Sequence, residues 1–322
     1  MKAKLALVLN PLNDSTLKLA SQIGVTDIVT GIRPSEGKAV WDLLTLLRIK
    51  NTVEDAGLRL AVMEGAPPME KAKLGLPGRD EEIENFCLSL ENMGKAGIPI
   101  VCYNFMAGFG WLRTSTSTRG RGGARVSSFN YDLIKNAPLT EFGALSEEQV
   151  WNNYRYFMDR VMPVAEEAKV KMALHPDDPP ISPVLGISRV FTSVENFDRA
   201  LEMYPSKYHG LTFCQGCFAE MGVDIPKTIH HFGDKGRIFF VHFRDVRGDV
   251  RNFVETFHDE GKTNMFAAMK AYQEIGFEGP MRPDHVPEME GDPVDRPGYT
   301  IQGRLFAIGF MKGLMAAVDA SA

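Results

Sequence analysis

Val170-Lys171-Met172-Ala173-Leu174-His175-Pro176-Asp177-Asp178-Pro179-Pro180 begins as a buried strand and breaks off at a histidine, two carboxylates and three prolines. An apolar run this short fits a strand covered on both faces, as in parallel sheets. Runs of the same kind, rich in Val, Ile, Leu and Phe, recur at 3–9, 26–32, 58–64, 98–105, 209–214, 237–243 and 279–284. Segments with helical spacing lie between them, at 36–54, 79–94, 147–168, 194–203 and 264–275, with Ser146 and Ser193 at expected helix N-caps. Eight strands alternating with helices, without a composition break, predict an α/β chain folded as one (β/α)8 TIM barrel over residues 1–322. A doubly wound open sheet is the alternative. The glycine fingerprint that would favour it is missing after the first strand, where Leu9-Asn10-Pro11-Leu12-Asn13-Asp14 stands.

The chain has 322 residues, 44% of them hydrophobic, enough for a large core. A formal net charge of −5 gives no electrostatic reason to bind nucleic acid or an anionic membrane surface, so a small-molecule partner is expected. The N-terminal MKAKLALVLNP superficially resembles a signal peptide, but its apolar run ends at Asn10-Pro11 without a cleavage site. No uninterrupted apolar stretch approaches the roughly 20 residues of a membrane span. Four cysteines, Cys87, Cys102, Cys214 and Cys217, do not resemble a secreted disulfide framework, and a cytoplasmic address is expected. A long loop at about 106–145 is expected after the fourth strand, least regular over 112–130, as a mobile excursion or a lid. Its Arg-Gly-Arg-Gly-Gly run is too short and isolated to indicate RNA binding.

In a parallel barrel the C-terminal ends of the strands meet around one mouth. His175 ends the fifth strand, Cys214 the sixth, His242 the seventh and Asp284 the eighth, so four successive strands deliver two imidazoles, a thiol and a carboxylate. A single buried His or Cys is usually a packing residue, but four in the same slot point to a divalent cation. The thiolate favours zinc, whereas a site open to substrate oxygens suits manganese or magnesium. The Cys214/Cys217 pair could alternatively be a redox motif or half of a zinc site. Arg244 and Arg282 each lie two residues from a ligand, on the same strand face, where they could hold a substrate carboxylate or make ordinary ion pairs. Asp177 and Asp178 could bind substrate hydroxyls, orient His175 or form a solvated acidic turn.

These residues resemble the mannonate dehydratases, metal-dependent relatives of the xylose-isomerase-like barrels. The resemblance rests on CYNFM (102–106), Trp111, Arg113-Thr114, MALHPDDPP (172–180), LTFCQG (211–216), VHFR (241–244), FHDEG (257–261), MRPDH (281–285), PGY (297–299) and Gly303-Arg304. It implies that His175, Cys214, His242 and Asp284 hold a metal, usually manganese, with Mg2+, Fe2+ and Zn2+ left open. It implies His285 and Tyr299 as proton carriers, and Asn104, Arg113, Asp177 and Arg244, with Arg282 beside them, in the substrate pocket. The implied reaction removes water from a sugar acid, D-mannonate to 2-keto-3-deoxy-D-gluconate, in a possible homo-oligomer. The chain departs from the family pattern at Phe109-Gly110-Trp111, at Gly31-Ile32-Arg33-Pro34 and in being shorter than most members. Another lyase, isomerase or epimerase of the same superfamily, or a barrel that binds without catalysis, are the competing expectations.

Overall fold

The computed structural model describes residues 1–32, 39–293 and 297–321. The chain begins β1 (Lys4–Val8), α1 (Asp14–Gln22), β2 (Asp27–Thr30), α2 (Leu43–Asp55), β3 (Arg59–Glu64), α3 (Glu70–Leu74), α4 (Arg79–Ala96), β4 (Ile100–Tyr103), β5 (Ser115–Arg119) and β6 (Arg125–Asn130). It continues α5 (Glu147–Ala168), β7 (Lys171–Leu174), α6 (Val194–Met203), β8 (His209–Cys214), α7 (Gln215–Glu220), α8 (Ile225–Gly233), β9 (Ile238–Phe243), β10 (Val246–Asp249) and β11 (Asn252–Glu255). The last elements are α9 (Met265–Glu274), β12 (Pro280–Pro283) and α10 (Ile301–Ala320).

Eight parallel strands close in the order β1-β12-β9-β8-β7-β4-β3-β2, the TIM barrel expected from the sequence. Each of the eight apolar runs supplies one of these strands. Small residues, Ala6, Val29, Ala61, Val62 and Ala173, fill the barrel interior around Phe239 and Phe240. The outward faces meet the helices in a continuous apolar layer that includes Leu46, Phe86, Phe157 and Met269. Ser146 and Ser193 cap α5 and α6, the former in a reciprocal capping box with Gln149. Helix α2 starts at Leu43, capped by Asp42, so the start expected at 36 is not met; residues 33–38 lie outside the described ones. Helix α10 is long and apolar enough in composition to cross a bilayer, and it packs as the helix after the eighth strand, burying Ala307, Ile308 and Met311.

The irregular 112–130 segment is a hairpin. β5 and β6 pair antiparallel, and β6 pairs in turn with β11, making a four-stranded sheet in the order β10-β11-β6-β5. The Ser-Thr alternation of β5 suits an exposed edge, while the buried Val126 and Phe129 of β6 hold the sheet down. Phe129 packs on Phe253 with ring centroids 5.6 Å apart. Arg121, in the glycine-rich turn, pairs with Asp259 at 2.9 Å and lies 4.1 Å from the Phe257 ring.

Candidate active site

Strand register brings the expected residues side by side. Cys214 and His242 are Cα partners on β8 and β9, and Arg282 partners His242 from β12. His175 follows the last residue of β7, and Asp284 follows β12. His175 Nδ1 lies 2.7 Å from the Pro176 carbonyl, which can only accept, so Nδ1 carries a hydrogen and Nε2 is the nitrogen left to face the cluster. That Nε2 is 3.2 Å from His242 Nδ1, whose own Nε2 faces Glu64 Oε1 at 3.3 Å. Two imidazoles whose inner nitrogens converge, one outer nitrogen bonded to a carbonyl and the other facing a carboxylate, match the pattern that orients metal-binding histidines.

The Cys214 sulfur, a His242 nitrogen and an Asp284 oxygen lie within 4.8 Å of one another, all three residues buried; His175, Cys214 and Cys217 make an overlapping cluster. Burial disfavours a thiolate at Cys214, but Cys217, Arg244 and His175 together hold it well below the usual thiol range. Burial likewise opposes charge on His175, but chiefly Cys214, with Asp178 and the Pro176 carbonyl, raises it to about 9. A proton therefore sits between the thiolate and the imidazole, where a cation would displace it. Burial opposes the charge of Asp284 too, but Arg282, His285, His242 and Arg244 hold it well below the carboxylate range.

The surrounding charge also suits a dication. Arg244, fully buried, pairs with Asp178 at 3.0 Å, Glu255 at 2.9 Å, Glu220 at 3.1 Å and Asp284 at 3.3 Å. Arg113 pairs with Asp178 and, at 2.6 Å, with Glu255. Arg282 holds Glu64 at 3.0 and 2.5 Å and Asp284 at 2.7 Å. Five carboxylates thus face three guanidinium groups. Burial pushes Glu220 well above the carboxylate range, keeping it neutral, yet negative charge still predominates. The donor set fits a divalent metal. Gly216 allows this packing, because a Cβ there would stand 2.4 Å from the Arg244 guanidinium.

A cavity of about 380 Å³ opens on this cluster, lined by His175, His242, Asp284, His285, Tyr299, Asn104 and Arg282 among others. His285 takes a left-handed backbone, φ +42°, rare for a residue with a side chain, and its Nδ1 lies 2.9 Å from Glu255 Oε1. Tyr299 donates its hydroxyl to Asp284 at 3.2 Å, and its ring lies 5.7 Å from the His285 ring. Burial and the Asp284 charge raise the Tyr299 phenol well above its ordinary range. Trp111 covers the edge of His285, with ring centroids 5.4 Å apart.

Asn104 and Arg282 line this cavity, whereas Arg113, Asp177 and Arg244 lie outside its wall. Asp177 instead accepts from the Phe191 amide at 2.8 Å and faces Arg189 at 3.6 Å, and its neighbour Asp178 reaches the wall. Sequence reasoning missed Glu64, Glu220, Glu255 and Lys73. Glu64 ends β3 in the slot used to choose the four ligands, so the same rule would have found it. Of the two local departures among the three noted above, Arg33-Pro34 lies outside the described residues; Phe109 accepts from Arg189 at 2.7 Å through its carbonyl, and Trp111 is 41% exposed at the rim.

A closed parallel barrel whose strand ends gather imidazoles, a thiol and carboxylates at one mouth is the TIM-barrel form of an enzyme site. A xylose isomerase domain protein from Planctomyces limnophilus shares the fold, with TM-score 0.64 at 12% identity over 99% of this chain and 98% of that one. The D-mannonate dehydratase (UxuA) family matches residues 9–142 and 133–322. Mannonate dehydratase 2 of Halalkalibacterium halodurans is 37% identical over 96% of this chain and 97% of its own length. Mannonate dehydratase of Thermotoga maritima is 36% identical over 94% of each. The crystal structure of mannonate dehydratase from Streptococcus suis serotype 2 superposes with TM-score 0.90 at 34% identity, covering 100% of this chain and 94% of that one. The chain belongs to the D-mannonate dehydratase family and is a hydro-lyase.

Proposed function

We propose that this chain removes water from D-mannonate to give 2-keto-3-deoxy-D-gluconate, using a divalent cation held by His175, Cys214, His242 and Asp284. The observation that carries this reading is the convergence of two oriented imidazoles, a thiolate and a carboxylate beside the His285 and Tyr299 pair. When bound, the cation would supply Lewis-acid stabilisation of negative charge developing on the substrate carboxylate. Manganese is the proposed ion, after the family resemblance.

His285 is placed to act as the base. With Nδ1–H donated to Glu255, its Nε2 has a lone pair for the proton on C2. Tyr299 is placed to act as the acid, since its hydroxyl already donates in the ground state. As the C2–H bond breaks to His285, its electron pair forms the C2–C3 double bond. The C3–O bond breaks, and the hydroxyl leaves as water with the Tyr299 proton. The resulting enol tautomerises to the 2-keto acid. Asn104 and Arg282 bind the substrate from the cavity wall; Arg113, Arg244 and Asp177 shape the pocket through the residues they hold. A cytoplasmic address is proposed from four cysteines that form no disulfide framework, and a homo-oligomer on the family resemblance.

The test is to strip the protein of metal, reload it with Mn2+, Mg2+, Fe2+ or Zn2+ in turn, add D-mannonate and follow the keto acid by mass spectrometry. Metal-dependent product is expected, greatest with Mn2+. A folded, metal-loaded protein that forms none, yet turns over another sugar acid or a ketose, would overturn the reading.

A further inference from the structure

A second cavity of about 720 Å³ adjoins the first, sharing Glu64, Asn104, Arg282 and Tyr299 and reaching Lys73 beyond them. Lys73 lies on the short helix α3, its backbone fixed where Asn153 donates to its carbonyl at 2.9 Å. The residue is buried, 9% exposed, and lines the cavity. An ammonium has three hydrogens to donate. Among the described residues, Nζ makes one hydrogen bond, to the neutral Asn104 Oδ1 at 3.2 Å. The nearest carboxylate, Glu70, stands 3.9 Å away, and its other oxygen accepts from the Gly108 amide. Asn104 Oδ1 also accepts from the Met106 amide at 3.2 Å. These two bonds turn its amide group so that Nδ2, a donor, is left for the cavity.

From this geometry we infer that Lys73, with Asn104, reads the oxygen at the end of the substrate chain remote from the reacting carbons. The inference rests on the dehydratase reading, which puts C2 and C3 beside His285 and Tyr299. Carbons 4 to 6 then pass the shared border at Asn104 towards Lys73. A buried cation short of acceptors gains most from a terminal hydroxyl, and the same ammonium penalises a chain that ends in a methyl group. Burial lowers the lysine's proton affinity, and the charge of Glu70, at 3.9 Å, offsets it only in part.

The test compares D-mannonate with 6-deoxy-D-mannonate, on the metal-loaded wild type and on Lys73→Met and Lys73→Arg. The wild type should favour D-mannonate in kcat/KM by about ten- to a hundredfold, the range for a hydrogen bond to a charged group. Lys73→Met should lose that preference, mainly through KM, while metal content and Tm stay at wild-type values; Lys73→Arg should recover part of it. An unchanged preference in Lys73→Met overturns the inference, as does equal use of the two acids by the wild type, even where the methionine variant fails to fold. If the wild type turns over neither acid, the dehydratase reading falls. Calorimetric affinities for the two acids then decide Lys73: a tenfold wild-type difference, lost in the variant, supports it, and equal or absent binding overturns it.

Discussion

The two sides of the mouth are built on opposite plans. On the side of the antiparallel sheet, Arg113 and Arg244 are surrounded by Asp178, Glu220 and Glu255, and the guanidinium charges are met by protein groups. On the side of α3, Lys73 and Asn104 retain donors facing a cavity. A network of mutual ion pairs fixes geometry, because each partner restrains several others, whereas donors that face a cavity are what a substrate can use. Position at a barrel mouth therefore does not by itself make an arginine a substrate contact.

The largest effect should come from Tyr299, one of the residues shared by both cavities. Tyr299→Phe should keep metal but lower kcat by about 10²- to 10⁴-fold, the contribution of a positioned proton carrier; a rate near wild type would remove the phenol from the reaction. Breaking the ion-paired side should cost stability: Arg244→Met leaves buried carboxylates uncompensated and should destabilise by about 3–5 kcal/mol in urea unfolding. Asn104→Ala, on the open side, should leave the urea midpoint nearly unchanged. Similar midpoint losses in both would erase the contrast. Between the two sides, Glu64→Gln weakens the group that orients His242 and should reduce metal affinity about 10- to 100-fold, measured by titration of the apoprotein.

The last effect is in acid. Glu64 and Glu255 are held to about 2, burial opposing the charge and their arginine and histidine neighbours outweighing it. A carboxylate depressed in the folded state contributes stability above its unfolded value near 4.5, and this is lost as pH falls towards 2. His258 and His209, lowered by burial to about 4, work in the same direction between about 6.5 and 4, because the unfolded chain binds their protons first. Urea midpoints should therefore fall as pH drops below about 6.5, and more steeply below about 4.5; Glu255→Gln should flatten the lower part.

The barrel was legible because each strand is a short run buried on both faces, a local signal that survives without knowing its partner. The hairpin over 115–130 was not, because β6 is completed by β11, more than a hundred residues later, and its exposed Ser and Thr give no core signature. Ligand candidates at strand ends could be read by counting strands, whereas the choice between Asp177 and Asp178 depends on the turn after His175. Glu255 could not be read at all, since its neighbours Arg113, Arg244 and His285 come from three other parts of the chain.

The capping sheet makes the site a composite of two insertions. One arrives after β4 and the other after β9, and the Phe129 and Phe253 contact fastens them together. The second carries Glu255, the acceptor for His285, and the first carries Arg113, which neutralises Glu255. Transplanting either insertion alone into a bare barrel would break the Arg113–Glu255 pair and leave each charge with only its barrel partners, Asp178 for Arg113 and Arg244 for Glu255. The pair is thus a single unit of inheritance: recombination between relatives should tolerate breakpoints in the helices around the barrel and reject those that separate the two halves of this sheet.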